Sequence, residues 1–406
     1  MNKPLLPHSS YTGLILISGP DAPGVTQALF ETLAPFAVTV LDMEQVIIRG
    51  RLILTALITL DPAHADGIED DLVELGNRIG LDVAVDFSEI DRNEDVHDGH
   101  ALQLVVLSRE LKPASIAQVA HVINSHKGNV ERFRRTAAYP LTAIEFDVLL
   151  PLSGDPLALK RDLADLALRE GIDLAIEAGG LTRRSKRIVL LDMDSTFIQQ
   201  EVIDLIADEA GVGAQVKAIT ESAMRGELDF SQSLQARCAL LEGLDATALL
   251  RVKEKITLTP GARTLVRTLH RLGHKVGIVS GGFTNVIETL VNEMELDYFK
   301  ANTLEVVSGK LTGKLLGEII DRPAKAASLK EFADAERVPL QQTIAVGDGA
   351  NDLDMLKAAG LGIAFNAKPA VKAEADASLN VPYLDAILYL MGIPREEIEA
   401  ADNPVN

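Results

Sequence analysis

The sequence is poor in cysteine, in aromatic residues and in positive charge. Cys238 is its one cysteine, tryptophan is absent, and aromatic residues make up 4 % of the 406 residues. A lone cysteine excludes an internal disulfide and a zinc site built from several thiolates. Lys and Arg number 39 against 59 Asp and Glu, which gives a formal net charge of −20. Because nucleic acids and anionic lipids are bound by basic patches, we expect neither as a partner.

Long hydrophobic runs are also missing. The longest apolar stretch, residues 52–60, has the length of a strand, whereas a membrane-spanning helix needs about 20 apolar residues. Residues 1–10 carry two prolines and lack the apolar centre of a signal peptide. We therefore expect a cytoplasmic protein without a membrane segment. At about 150 residues per domain, the length predicts two or three domains.

The first 180 residues contain the same order of elements twice. The hydrophobic pattern predicts strand, helix, two strands, helix and strand, first from residue 13 and again from residue 102. Pro23 and Pro113, which open the first helix of each repeat, lie 90 residues apart. The pattern predicts two ferredoxin-like βαββαβ domains at residues 1–95 and 96–180, each an antiparallel sheet with two helices on one face.

Residues 179–187, with the sequence GGLTRRSKR, separate the repeats from the rest of the chain. A glycine pair is followed there by four basic residues, Arg183, Arg184, Lys186 and Arg187. The segment is either an anion-binding arm or a solvated linker. We favour the solvated linker, because the run is short and the protein is acidic, and we place a domain boundary there.

The pattern changes after residue 187. Uninterrupted apolar runs alternate with helical segments, at residues 188–192, 275–279, 343–347 and 361–365. Apolar strands followed by helices indicate an α/β fold with a Rossmann-like parallel sheet that is buried on both faces. Ligands of such folds collect beyond the carboxyl ends of the strands. We therefore search those strand ends for functional residues.

Polar residues follow three of these strands. In chain order they are Asp192 and Asp194, Ser280 and Gly281, and Asp348 and Asp352. Carboxylates at one sheet edge can divide nucleophilic and acid–base work, and oxygen ligands without His or Cys favour Mg²⁺. Taken singly, each cluster also suits an ordinary polar turn or helix cap, and a lone lysine such as Lys325 is usually solvated.

The order of these residues along the chain resembles that of haloacid dehalogenase-like phosphohydrolases. The likeness spans about residues 187–390 and is strongest to the phosphoserine phosphatases. It implies a phosphatase domain at residues 181–406 with a helical cap at about 200–258. The expected reaction is the Mg²⁺-dependent hydrolysis of O-phosphoserine to serine and phosphate through an aspartyl-phosphate, the last step of serine biosynthesis.

The same resemblance implies a role for individual residues. Asp192 would be the nucleophile, and Asp194 the general acid and then the general base. The ligands of Mg²⁺ would be Asp192, the Asp194 carbonyl and Asp348, supported by Asp352. The phosphoryl group would be bound by Ser280, Gly281 and Lys325, with Asn351 beside them. The cap would read the substrate through Glu201, Met224, Phe230 and Arg237, although the pattern alone favours simple cap packing for Met224 and Phe230.

Residues 18–25, with the sequence SGPDAPGV, resemble the first loop of ACT domains, which are amino-acid-binding regulatory modules. The resemblance implies L-serine, the product of the expected reaction, as a regulatory ligand of the first repeat. The second repeat has Ala114 where the first has Gly24 and has no acidic residue at the position of Asp21, so ligand binding there stays open. Exposed sheet edges favour a homodimer.

Two other functions remain open at this point. One is a phosphatase of the same mechanism that acts on another small phosphomonoester or on a phosphoprotein. Glu201 and Arg237 favour phosphoserine over these other substrates, because a zwitterionic amino acid needs one partner of each charge. The other is an amino-acid-sensing binding protein on a phosphatase fold, which would have no use for Asp194 as an acid and base.

Overall fold

The structure is a computed structural model that describes residues 9–91, 99–180, 183 and 185–402. The chain forms two compact units, Met1–Asp98 and Gly99–Asn406, and each is described by itself. Among the described residues, no helix is both long and apolar enough to span a membrane. The predicted domain boundaries at residues 95 and 180 stay a prediction.

The first unit is a four-stranded antiparallel sheet in the order β2-β3-β1-β4. Its strands are β1 (Ser9–Pro20), β2 (Thr39–Ile48), β3 (Arg51–Thr59) and β4 (Asp82–Asp91), and its helices are α1 (Val25–Leu33) and α2 (Ala65–Ile79). Alternate residues of the strands, such as Ile15 and Leu54, form one core with Leu29 and Leu72 of the helices. The period-2 pattern therefore places both helices on the same face.

The second unit begins with the same arrangement. Its first elements are β5 (Gly99–Ser108), α3 (Pro113–Ser125), β6 (Asn129–Ala137), β7 (Thr142–Pro151), α4 (Pro156–Glu170) and β8 (Asp173–Ala178). The strands lie in the order β8-β5-β7-β6. Asp155 caps α4, with its carboxylate accepting from the backbone N–H groups of Leu157 and Ala158, and Pro156 opens the helix. Both predicted βαββαβ domains are confirmed.

A mostly parallel sheet follows, as predicted. Its strands are β9 (Ile188–Leu191), β10 (Lys275–Phe283), β11 (Tyr298–Val307), β12 (Lys310–Leu316), β13 (Thr343–Gly347), β14 (Leu361–Phe365) and β15 (Ala377–Leu379). β9, the first strand in sequence, lies at the centre between β10 and β13. The functional segments that follow these three strands therefore meet at one sheet edge. The antiparallel hairpin partner β12 was not predicted.

The helices of this region lie on both sides of the sheet or in the cap. They are α5 (Val202–Glu209), α6 (Gly213–Met224), α7 (Phe230–Ala239), α8 (Ala248–Lys255), α9 (Ala262–Arg271), α10 (Thr284–Glu293), α11 (Arg322–Ala335), α12 (Leu353–Ala358), α13 (Pro369–Lys372), α14 (Ala386–Leu390) and α15 (Arg395–Asp402). Helices α5 to α8 form the predicted cap between β9 and β10.

The two parts of the second unit share one sheet. β15 pairs in parallel with β14 and in antiparallel with β8, so that eleven strands form a single sheet. Val105, Leu107 and Ala143 of the second βαββαβ domain belong to the hydrophobic core of the part that contains the parallel sheet. The face of the βαββαβ sheet that its own helices leave uncovered is therefore packed against that part.

The expectation of a solvated linker is wrong. The Arg183 side chain is only 9 % exposed, and its guanidinium pairs with Glu145 and Glu177 and donates to the backbone carbonyl of Leu390 at 2.8 Å. Lys186 is also buried and lies 3.6 Å from Glu177. The reason lies in the tertiary structure. The segment runs between two parts of one sheet, where acidic residues of β7 and β8 form ion pairs with its basic side chains.

Candidate active site

Asp192 lies directly after β9 and begins a short helical turn, Met193–Phe197. Its Oδ1 accepts hydrogen bonds from the Met193 N–H at 2.8 Å and from the Lys325 ammonium at 2.7 Å. The side chain is almost fully buried. Burial raises its pKa, Asp352 raises it further, and Lys325 opposes them. The two hydrogen bonds fix one oxygen, so that Oδ2 is the oxygen left for chemistry.

Lys325 occupies the first turn of α11. Asp321 caps this helix through the Ala324 N–H at 3.0 Å, and Pro323 stands in its first turn. The ammonium is completely buried and lies 2.7 Å from both Asp192 and Asp352. Burial lowers the lysine pKa, but the two carboxylates outweigh it and the net shift is upward. A permanent positive charge is therefore fixed beside the two carboxylates.

Three carboxylates converge at this edge of the sheet. Asp192, Asp348 and Asp352 each place an oxygen within 4.8 Å of the others. Asp352 is fully buried, and its Oδ2 accepts from the Gly349 N–H at 2.9 Å. Burial, followed by the charge of Asp352, raises the pKa of Asp348 to about 7. Because one lysine cannot neutralise three carboxylates, the group fits a divalent cation with hard oxygen ligands.

Asp194 lies apart from this cluster and faces the carboxyl end of β10. A Cβ at Gly282 would come 2.8 Å from Asp194 Oδ2, so the glycine permits this approach of backbone and carboxyl. Burial and the neighbouring Glu201 raise the pKa of Asp194 well above its usual range. A carboxyl group whose pKa is raised keeps its proton to higher pH, which suits a general acid.

A cavity of about 550 Å³ opens over these groups. The predicted residues in its lining are Asp192, Asp194, Glu201, Phe230, Arg237, Gly281, Asp348 and Asn351. Arg237 is half-buried on α7, and burial lowers its pKa. Glu201 accepts a 2.7 Å hydrogen bond from the Ser195 hydroxyl. One cavity thus presents a cation and an anion of the cap beside the carboxylates.

The other predicted residues do not line the cavity or have a side chain outside the described residues. Ser280 is fully buried, and its Oγ accepts from the Gly282 N–H at 2.8 Å. Lys325 and Asp352 are fully buried and contact the lining residue Asp192 or its neighbours, as described above. Met224 ends α6, but its side chain lies outside the described residues. The roles of all these residues stay predictions.

Two basic residues of the lining were not predicted, Arg322 and Lys368. Arg322 also pairs with Asp354 at 2.5 Å. Lys368 follows β14, whose carboxyl end lies at the same sheet edge as those of β9 and β13. The strand-end rule that located Asp192 would have located this segment too, had it been applied to the fourth apolar run.

Known proteins give independent information on this chain. The model of the haloacid dehalogenase-like hydrolases matches residues 189–357, and two ACT domain models match residues 12–86 and 100–177. A phosphoserine phosphatase of Streptomyces coelicolor is 50 % identical over 393 residues, which cover 96 % of this chain and 94 % of that protein. The chain belongs to the phosphoserine phosphatase family.

The chain is also similar to further phosphoserine phosphatases, in sequence and in structure. The enzyme of that name from Mycobacterium tuberculosis is 49 % identical over 394 residues, covering 96 % of this chain and 95 % of that protein. The crystal structure of a probable phosphoserine phosphatase from Vibrio cholerae, in unliganded form, has a TM-score of 0.57 and 35 % identity, and covers 75 % of this chain and 89 % of that chain. The predicted family, fold class and enzyme class are confirmed.

Proposed function

We propose that the protein hydrolyses O-phosphoserine to serine and phosphate, with Asp192 as the nucleophile. The observation that carries the proposal is the position of Asp192, fixed through Oδ1 by Lys325 and Met193 in a cavity that also holds Arg237 and Glu201. An amino-acid phosphate carries a carboxylate, an ammonium and a phosphate. The cavity offers a partner for each.

The chemistry proceeds in two displacements at phosphorus. Oδ2 of Asp192 forms a bond to phosphorus while the bond from phosphorus to the serine oxygen breaks, and Asp194 gives its proton to that oxygen. Asp194 then takes a proton from water, whose oxygen attacks the phosphoryl group and releases Asp192. The raised pKa of Asp194 suits the first of these steps.

The charge on the phosphoryl group is met by groups already in place. Lys325 holds a permanent positive charge beside Asp192, and Gly281 borders the cavity, where its backbone N–H would be a further donor. Such preorganised donors stabilise charge that develops in a transition state. Ser280 Oγ accepts from the Gly282 N–H and so fixes the end of β10, and Asn351 borders the same space.

The acidic cluster fits Mg²⁺. Asp192, Asp348 and Asp352 would hold it through their carboxylates and Asp194 through its backbone carbonyl. When bound, the ion supplies positive charge that lessens the repulsion between the phosphate and the aspartates.

The cap residues would select the substrate. Arg237 can bind the substrate carboxylate through two parallel hydrogen bonds, and Glu201 can bind the ammonium. Phe230 approaches the phosphate side, because a Cβ at Gly281 would lie 3.1 Å from its ring. Phe230 thereby helps exclude water from the reacting groups.

Phosphate release from phosphoserine, with and without Mg²⁺, tests the function. We expect Mg²⁺-dependent turnover, its loss in Asp192→Asn, and wild-type rates in the control Asp165→Asn, which lies exposed on α4. Phosphoethanolamine and glycerol phosphate should be poorer substrates. Equal rates for all three would favour a broader phosphomonoesterase, and a wild type as inactive as Asp192→Asn would favour an amino-acid sensor.

The first ACT-like domain supports a second, regulatory proposal. Gly24 precedes α1 with a φ of 94°, and a Cβ there would meet nothing within 4 Å. The loop thus has space for a small ligand at a helix start, and we propose L-serine. Serine should change activity or thermal stability in the wild type but not in Gly24→Trp. We also propose that the protein is a homodimer in solution, which light scattering tests. A cytoplasmic location is proposed as well, and cell fractionation tests it.

A further inference from the structure

The second ACT-like domain meets the phosphatase sheet next to a wall of the catalytic cavity. Residues 366–371, here named the wall turn, follow β14 and include the start of α13. Lys368, Ala370 and Val371 of this turn line the cavity. β15 lies between β14 and β8 in the sheet. A contact at the end of β15 can therefore act on the segment that forms this wall of the cavity.

Asp173 makes such a contact from the ACT-like side. It is the first residue of β8 and is almost fully buried. Its Oδ2 accepts from the Asn380 N–H at 2.7 Å, and its Oδ1 accepts from the Asn380 side-chain amide at 2.5 Å. Asn380 follows Leu379, whose carbonyl accepts from the Asn366 N–H at 2.7 Å. Two hydrogen bonds to Asn380, the Leu379–Asn380 peptide bond and one hydrogen bond to Asn366 thus join Asp173 to the first residue of the wall turn.

The wall turn is held by residues outside it. Asn366 has a φ of 47°, a left-handed conformation that asparagine tolerates better than most residues with a side chain, and its N–H donates to the Leu379 carbonyl. Lys372, at the end of α13, attracts Asp173 and thereby lowers the pKa of its carboxyl, although burial is the larger effect and raises it to about 6. The first residue of the turn, and the residue that directly follows its last one, therefore both interact with the region around Asp173.

We propose that Asp173 is a positioning residue for substrate binding, because it holds the wall turn in place from the second ACT-like domain. That domain would then complete the substrate cavity of the phosphatase. The inference rests on the proposed function. The reacting groups Asp192 and Asp194 follow another strand, β9, so the support concerns substrate affinity more than the chemical steps.

Steady-state kinetics on the full-length enzyme test the proposal. Asp173→Ala removes both hydrogen bonds and should raise the KM for phosphoserine at least threefold, with kcat within twofold of the wild type. Asn380→Ala keeps the backbone donor and should raise KM less. The control is Lys160→Ala, which breaks the Lys160–Asp376 ion pair at the same junction and should leave KM unchanged.

Hydrogen–deuterium exchange of the amides at residues 366–371, measured without substrate, gives a second readout. We expect faster exchange in Asp173→Ala and Asn380→Ala but not in Lys160→Ala. Unchanged exchange and KM in the first two variants would overturn the proposal, as would an equal change in the control. Faster exchange with a wild type inactive on phosphoserine would support the positioning role and refute the function. Asn380 is exposed, so its variant tests the proposal even if Asp173→Ala does not fold.

Discussion

The two ACT-like domains have the same order of strands and helices but use the same sheet face differently. In the first, the face opposite the helices carries Leu14, Leu16 and Ile53, which are 48 %, 41 % and 42 % exposed. In the second, Val105 and Leu107 on the corresponding face of β5 are at most 2 % exposed, because they pack in the core of the phosphatase part. One copy of the fold keeps this face available, and the other has become part of the catalytic unit.

The difference shows how little a local sequence pattern says about what covers a surface. Both central strands contain a continuous apolar run, residues 14–17 in β1 and 104–107 in β5. Each run would suit a strand buried on both faces. Only the tertiary partner decides which face is buried, and this partner comes from a segment far along the chain.

A buried charge should give the largest contrast between the domains. Val105→Asp places an unpaired carboxylate in the core, which costs several kcal/mol, so the second unit should unfold and phosphatase activity should disappear. The matched variant Leu16→Asp should keep full activity, because that side chain is exposed. Circular dichroism melting and phosphate release measure both outcomes. Comparable losses in the two variants would mean that the first domain's face is also covered.

The buried linker should show the next largest effect. Arg183→Ala removes the cation that Glu145 and Glu177 share, although Glu145 keeps Arg134 and Glu177 keeps Lys186. The free energy of unfolding should fall by about 3 kcal/mol. The matched variant in the first domain is Arg49→Ala, an exposed position in the β2–β3 turn, and should change it by less than about 0.5 kcal/mol. Denaturant titration gives both values. A change of less than about 0.5 kcal/mol in Arg183→Ala would instead support a solvated linker.

Asp173 should make the stability of the second unit depend on pH. Its pKa of about 6 in the folded state lies above the ordinary 3.8, so the folded state binds more protons between these values. The free energy of unfolding should therefore fall as pH rises from about 4 to 6, by up to about 3 kcal/mol. Asp173→Asn should lack this contribution, seen as a pH-dependent difference from the wild type. A constant difference would show that the carboxyl titrates normally.

The smallest effect is expected on the exposed face of the first domain. Leu14→Ser should change the free energy of unfolding by less than about 0.5 kcal/mol, as is usual for surface positions. A loss of several kcal/mol would show that this face is buried in the working protein. A loss that appears only at high protein concentration would assign the covering surface to a second copy.

Much of the fold followed from the sequence because hydrophobic periodicity is local. The strand and helix order of both repeats, and four strands of the parallel sheet, were predicted in this way. The pairing of β8 with β15 was not, because the two strands are about 200 residues apart and β15 has three residues. The burial of Arg183 was not predicted for the same reason, since its acidic partners lie on other strands.

The residues of the candidate site also fall into those that local sequence predicts and those that it does not. The strand-end rule located Asp192, Ser280 and Asp348, because all three follow uninterrupted apolar strands. Lys325 could not be assigned from its surroundings in sequence, since its carboxylate partners are brought to it only by folding. Resemblance to a family supplied that role. Lys368 was missed although its position after β14 obeyed the rule.

The shared sheet also has a consequence for how the protein is made. β8 lies at the edge of its domain until β15 arrives, and ribosomes add about 5–20 residues per second. With about 200 residues between the two strands, the edge of β8 that does not pair with β5 faces solvent for roughly 10–40 seconds during translation. Throughout this interval the unpaired amides and carbonyls of that edge are open to a strand of another nascent chain.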